Sequence, residues 1–321
     1  MGIIAILSSP SSFRDNDEME KIRDVISKGS GIFHYEVEKH KDIAEALTRF
    51  QQAAVEAIVI VGDRALASAT FEHIVEKDLA GVKDIPLAVL PAGDNNIVAE
   101  NLGAVHSEPH VALKKLLADF NKSLLKDRVA EYPLIKLEGV RGLDYLYGLF
   151  FCAGEITRQK RLFHRPVSEK GVISRLRRWI DTLLMIQSAY RNAMGKNRLE
   201  DAIRINRNQR GAVVGHFFIL LVTTLDTAFN RIALRTHNGP DSACFLSVEN
   251  TPEAVLKTGK KMLAGKYEGG EIMAGHVMTD IKHARIVLKA PFVLDGSYYQ
   301  AGESGELFVS VTDRLKFIRL S

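Results

Sequence analysis

The chain has 321 residues, 46% of them hydrophobic, which is enough for two separate cores and too apolar for a disordered protein. A formal charge of +4 is small for this length, so no nucleic-acid partner is expected from bulk charge, and any basic function has to be local. Cys152 and Cys244 are the only cysteines and both sit in apolar runs that read as strands, which excludes a disulfide framework and fits a reducing compartment. The N-terminus has no basic segment or cleavage site, Ile6 stands where myristoylation needs Ser or Thr, and the longest apolar run, Phe217 to Val222, is too short to span a bilayer. The expectation is a soluble, cytoplasmic protein.

In chain order, Ile3 to Leu7 is a continuous apolar run that predicts a strand buried on both faces, stopped by Ser-Ser-Pro-Ser-Ser12. Met19, Ile22, Val25 and Ile26 recur at helical spacing up to Gly29 and Gly31. Phe33 to Val37 reads as a strand, Ile43 to Ala54 as a helix and Ala57 to Val61 as a third, fully buried strand. Gly62-Asp63 turns the chain into a helix over Ala65 to Glu76, and Pro86 to Leu90 is a fourth strand. Pro91-Ala-Gly-Asp-Asn-Asn96 then forms a tight polar loop opening into a helix at Ile97. Gly93 permits a backbone closed to other residues, and amides at a helix start favour an anion. Asp94 opposes that, because like charges about 4 Å apart repel by several kcal/mol at an effective dielectric near 20. Strict alternation of strand and helix predicts right-handed crossovers and a mainly parallel sheet, with ligands at the carboxyl ends of its strands.

After a helix over Val111 to Leu117 the alternation stops, which places a domain boundary near residue 127. The expected domains are 1–127, α/β and nucleotide-binding, and 128–321, mainly β. Strands are expected over Leu134 to Glu138, Tyr145 to Ala153, Ala202 to Asn206, Gly215 to Thr224, Ile286 to Leu288 and Leu307 to Val311, with Asn206 to Gly211 as a hairpin connection. Helices are expected over Val172 to Ala193 and Pro252 to Ala264.

The order of these segments resembles the diacylglycerol kinase catalytic-domain family, which includes bacterial lipid kinases and sphingosine kinases and, more distantly, NAD kinases. Ser9-Pro-Ser-Ser12 echoes the family's Asn-Pro-x-Ser-Gly loop, and Val61-Gly-Asp-Arg-Ala65 corresponds to its Gly-Gly-Asp-Gly-Thr signature. Leu90-Pro-Ala-Gly-Asp-Asn-Asn-Ile-Val-Ala99 corresponds to its Leu-Pro-x-Gly-Thr-x-Asn-Asp-Phe-Ala loop. Near the C-terminus, Gly265-Lys-Tyr and Ala290 to Ser297 resemble its Gly-Lys-His segment and its Asp-Gly-Glu motif. The resemblance implies a three-layer α/β domain with a parallel sheet, then a sandwich-like β domain, with the last residues packing back on the first domain. It implies transfer of the γ-phosphoryl of ATP, with Mg²⁺, to a lipid hydroxyl. Gly62, Asp63, Arg64, Ala65, Gly93, Asp94 and Asn96 would form the nucleotide site, with Asp63, Asp295 and Ser297 at the chemistry.

The chain departs from the family where chemistry is concentrated. Arg64 and Ala65 replace Gly and Thr, Asp94 replaces a loop Thr, and Ser297 replaces the Glu assigned as proton acceptor. A serine hydroxyl of ordinary pKa is no general base near neutral pH. Asp241-Ser-Ala-Cys-Phe245 matches the family's metal segment poorly, leaving the metal ligands unknown. For single residues two readings stand side by side: Asp63 contacts nucleotide or caps a helix, Arg64 pairs with phosphate or with Asp94, and Asp295 acts as a substitute base or only as a turn residue. The basic stretch from Arg158 to Trp179 either touches an anionic membrane or is a solvated helix face. The expectations are therefore a lipid kinase with a degenerate site or a non-catalytic lipid- or nucleotide-binding homologue. NAD kinase activity is a weaker third reading, and a homodimer is among the allowed assemblies.

Overall fold

The structure is a computed structural model. It describes residues 2–13, 16–39, 41–76, 81–90, 92, 97–104, 108–158, 183–184, 186–194, 202–207, 210–228, 232–233, 241–264, 267–268 and 275–320. The chain divides into two units, Met1–Tyr132 with Asp313–Ser321, and Pro133–Arg165 with Glu169–Thr312.

Unit 1 is built on parallel strands in the order β2-β1-β3-β4: β1 Ile4–Ser8, β2 Ile32–Glu36, β3 Ala57–Val61 and β4 Leu87–Val89, with the end of β19 (Glu306–Ile318) as a fifth, its Phe317 paired with Leu87. The five-residue strands β1 and β3, apolar but for Ser8, are buried throughout, as strands covered on both faces must be. One face, carrying Ile4, Ile6, Val59 and Val61, packs on Met19 and Ile22 of α1 (Asn16–Ser27) and on Leu113, Leu116 and Leu117 of the helix Pro109–Asn121. On the other face Phe33 meets Phe50 of α2 (Asp42–Gln52) edge-on at 5.3 Å, beside α3 (Arg64–Glu76). The result is helix, sheet and helix in three layers. The helix α4 covers Ile97–Asn101, and α5, which is Pro109–Asn121, runs four residues past the expected Leu117. Its end is set by Ser123 at φ 58, whose N–H donates to the Phe120 carbonyl while the Leu124 N–H donates to that of Asp119.

Unit 2 holds two antiparallel sheets around one core. Its six-stranded sheet has the order β15-β13-β10-β7-β17-β18. These are β7 Phe150–Ala153, β10 Phe217–Thr223, β13 Ala243–Glu249, β15 His276–Ile281, β17 Phe292–Leu294 and β18 Ser297–Tyr299. The other sheet contains β5 Val129–Glu138, β6 Tyr145–Gly148, β8 Ile203–Arg207, β9 Arg210–Gly215, β16 His283–Val287 and the first half of β19 Glu306–Ile318. Ile135, Ile205, Ile286 and Leu307 of this sheet share a core with Phe151, Val222, Phe245 and Phe292 of the six-stranded one, which makes a sandwich. The short strands β11 Thr227–Ala228, β12 Ile232–Ala233 and β14 Tyr267–Glu268 form a third, minor sheet. The helix α6 occupies Pro252–Ala264, as the proline start predicts.

The expected single strand Tyr145 to Ala153 is two strands in different sheets. The chain leaves β6 at Gly148 and enters β7 at Phe150, so an unbroken apolar run hides a change of sheet. The expected hairpin is present, with β8 paired antiparallel to β9, which begins at Arg210 before the expected Gly215; β15, β17 and β18 are strands beyond the expected set. Of the expected helix Val172 to Ala193, only 183–184 and 186–194 are described, and they are helical.

Phe50 is fully buried. Phe50→Ala is expected to cost unit 1 about 3–5 kcal/mol through lost transfer energy and a residual cavity, whereas Phe50→Leu loses about 1–2 kcal/mol. Urea unfolding followed by circular dichroism measures the difference.

Candidate functional site

In unit 1 the chain passes from β1 to β2 on one side, then returns to lay β3 on the other side of β1. Connections therefore diverge at the carboxyl ends of β1 and β3, where an open parallel sheet leaves a crevice. Two short segments line it. After β1, Pro10–Ser12 makes a single 3-10 turn in which the Ser12 N–H donates to the Ser9 carbonyl at 3.1 Å, and the Ser9 and Ser11 hydroxyls bond at 2.9 Å. After β3, Gly62 and Asp63 lead into α3. A Cβ on Gly62 would lie 2.5 Å from Leu66 Cδ2 and 3.1 Å from Ser12 Oγ, so glycine is what lets the serine turn rest against the start of the helix.

Asp63 Oδ1 accepts the Leu66 N–H at 3.0 Å and its carbonyl accepts the Ala67 N–H at 3.2 Å, which makes Asp63 the N-cap of α3. Arg64 and Ala65 form the first turn and are half-buried. Gly93, Asp94 and Asn96 lie outside the described residues. Leu90, just before that loop, donates its N–H to Ile60 at 3.0 Å, so β4 ends beside β3 on the same edge.

A polar pair not expected from sequence sits at the same edge. The Ser8 hydroxyl, fully buried at the end of an otherwise apolar strand, lies 2.8 Å from His34 Nε2. Burial holds the His34 pKa below its ordinary 6.5, so the ring is neutral at pH 7, and its tautomer sets which of Nε2 and the Ser8 hydroxyl donates. Next to it Glu36 takes two 2.7 Å bonds from Arg23, which keep its carboxyl below the usual carboxylate range. A buried serine closing an apolar strand was the sequence signal for this pair.

Asp295 and Ser297 belong to unit 2, in the hairpin joining β17 to β18. Asp295 and Gly296 both have positive φ, 48° and 93°, and Leu294 pairs with Ser297, which is the two-residue turn that Asp-Gly favours. The Asp295 carboxylate is buried, and Oδ1 accepts the Leu149 and Phe150 N–H groups at 3.0 and 2.8 Å. Ser297 is half-buried at the start of β18. Nucleotide-site residues and the Asp295 hairpin thus fall in separate units.

Among the described residues no group of three His, Cys, Asp or Glu side chains could hold a metal ion, and Asp241 is exposed. Burial pushes the Cys244 thiol up to about 12 and Cys152 further in the same direction, so neither is a nucleophile. Arg158 faces the buried Glu155 at 3.4 Å; the basic segment after it lies outside the described residues. Among the described residues no helix is long and apolar enough to cross a membrane.

No family model and no curated protein matches the sequence. Solved structures do match the fold. A diacylglycerol kinase from Bacillus anthracis strain Sterne aligns over 99% of this chain and 96% of its own, with TM-score 0.56 and 12% identity. Two others from the same organism, assigned provisionally as diacylglycerol kinases, align over 98–99% of this chain and 96–97% of theirs, with TM-scores of 0.58 and 0.60 and 11% and 12% identity. At such identity the likeness concerns the fold.

Asp295→Ala should destabilise unit 2 by about 1–3 kcal/mol for each amide left without an acceptor, while Asp295→Asn, which keeps a carbonyl oxygen and tolerates positive φ, should lose clearly less. Equal losses in thermal unfolding would mean that the amides do not depend on that oxygen. For His34 the folded state disfavours the proton, so its contribution is complete above pH 6.5 and is lost as pH falls below that value. Unfolding midpoints between pH 7 and pH 5 should therefore drop more for the wild type than for His34→Gln.

Proposed function

We propose that this chain is a lipid-kinase-like protein that takes ATP at the carboxyl edge of the unit 1 sheet and directs its γ-phosphoryl to a lipid hydroxyl, with an altered and slow site. The observation that carries this reading is the serine turn held against Gly62 and the capped start of α3, where β1 and β3 diverge. The Ser9, Ser11 and Ser12 hydroxyls and the first turn of α3 offer donors to phosphate oxygens, and the helix end adds partial positive charge. Asp63 already occupies part of that end, so it orients the phosphates through water and weakens them by its own charge. Gly93 and Asn96 would continue the cradle, while Asp94 opposes it and Arg64 offsets that opposition.

When bound with the nucleotide, Mg²⁺ would neutralise charge on the β- and γ-phosphates. The described residues do not by themselves hold such an ion, so the phosphates would have to carry it in, and no step is assigned to it. Phosphoryl transfer through a loose transition state asks little of a base, so loss of the glutamate slows the reaction without forbidding it. A cytoplasmic location with peripheral docking through 158–179 on anionic lipid fits this substrate class.

One observation favours a second reading, a non-catalytic lipid- or nucleotide-binding sensor. The only carboxylate of the hairpin motif is engaged with the Leu149 and Phe150 amides.

Calorimetric titration with ATP and Mg²⁺ should show weak binding, tightened about tenfold or more, about 1.4 kcal/mol, by Asp94→Thr combined with Arg64→Gly. No heat at millimolar nucleotide for either protein would sink the nucleotide site. Where ATP binds, radiolabel transfer to mixed lipid extracts, with Asp63→Ala as the comparison, separates kinase from sensor.

A further inference from the structure

The β9 strand is the outer strand of its sheet in unit 2. Among the described residues only β8 pairs with it, so one side of its backbone ladder carries N–H and C=O groups open to another strand. Edge strands are normally blunted by Lys, Pro or an inward charge. In β9 the one charge is Arg210 at its start, and none of these occurs in the following Gly211-Ala-Val-Val-Gly215. Val213 is 47% exposed and Val214 57%, although Val213 lies opposite Ile205, a core residue of the sandwich. The other edges of the unit 2 sheets are better covered: β18 is half-buried throughout, and β15 exposes only Val277 substantially.

This segment is nearly palindromic. An antiparallel partner of the same sequence, related by a twofold axis through Val213, would place Val213 against the partner's Val213, Ala212 against the partner's Val214 and Gly211 against the partner's Gly215. Every such pair is small or β-branched, and no two like charges meet within it. Pairing of identical edges about a twofold axis is also the closed, self-limiting arrangement, which satisfies the ladder without leading to fibres. A strand from an unrelated protein would match the backbone equally well but would not be selected by this symmetry.

We propose that two copies of this chain associate through antiparallel β9–β9 pairing about Val213, extending the unit 2 sheet across both protomers. The contact is smaller than the roughly 1,600 Å² of a standard stable interface, so the dimer forms reversibly with concentration. The inference is independent of nucleotide or lipid binding.

Sedimentation velocity on the full chain, from about 1 to 100 µM, tests it. The weight-average mass should climb from the 35.6 kDa monomer toward twice that value. Val213→Asp sets two carboxylates against each other on the axis and should leave a monomer throughout, with circular dichroism confirming that it remains folded. Val213→Cys should give a disulfide-linked dimer under mild oxidation, while Val277→Cys on the β15 edge should not; the native cysteines are buried and do not interfere. A wild type that stays monomeric over the whole range, a Val213→Asp variant that still dimerises, or equal cross-linking at Val277 would each overturn the proposal. If Val213→Asp fails to fold, the pair of cysteine variants decides alone.

Discussion

Unit 2 depends on one carboxylate. Where the chain leaves β6 and enters β7 it changes sheets, and a change of sheet breaks the ladder on which backbone groups rely. Asp295 closes the gap. Its Oδ1 takes the Leu149 and Phe150 amides, its own N–H donates to the Phe150 carbonyl at 2.8 Å, and the Leu149 carbonyl is taken by the Thr223 hydroxyl and the Thr224 N–H. The fit leaves no slack at Gly148, where a Cβ would lie 2.5 Å from Asp295 Oδ2. A buried carboxylate is costly without donors, and amides 145 and 146 residues away in sequence supply them.

Unit 1 meets an analogous demand at the other kind of strand end. The end of β3 admits both the serine turn after β1 and the Leu66 side chain of α3, and a Cβ at Gly62 would require the Leu66 and Ser12 side chains to shift. Asp63 then satisfies an amide of the new helix. A cap of this kind contributes about 1 kcal/mol, enough to hold the start of the helix against the strand end.

Much of this was legible in the residues, and the reasons differ from element to element. β3 is an uninterrupted apolar run, β1 is one up to Ser8, and α6 begins with Pro252, so each declares itself locally. The break at Leu149 does not, because both of its flanks are apolar and the acceptor that makes it tolerable is far away in sequence. The extent of β9 and the whole of β15 were missed for the opposite reason. As edge strands they bury too little of either face to show alternation. At the site, capping was one of two readings that the place of Asp63 between a strand and a helix allowed, and the hydrogen bond to Leu66 shows the cap; the Ser8–His34 pair depends on β1 and β2 being neighbours, which only the assembled sheet provides.

This division bears on how a degenerate motif should be weighed. Gly62, Asp63, Asp295 and Gly296 each meet a requirement of folding: close approach, a cap, satisfied amides and a tight turn with positive φ. Their retention would be expected in any stable chain of this fold, with or without catalysis. Chemistry is better judged at positions where the fold is indifferent. The first turn of α3 would accept a hydroxyl residue at Ala65, and the first position of β18 would accept a glutamate in place of Ser297 without altering the hairpin. Neither is present. Gly62, Asp63, Asp295 and Gly296 are therefore explained by packing and amide satisfaction alone, whereas Ala65 and Ser297 stand where the fold would accept other side chains.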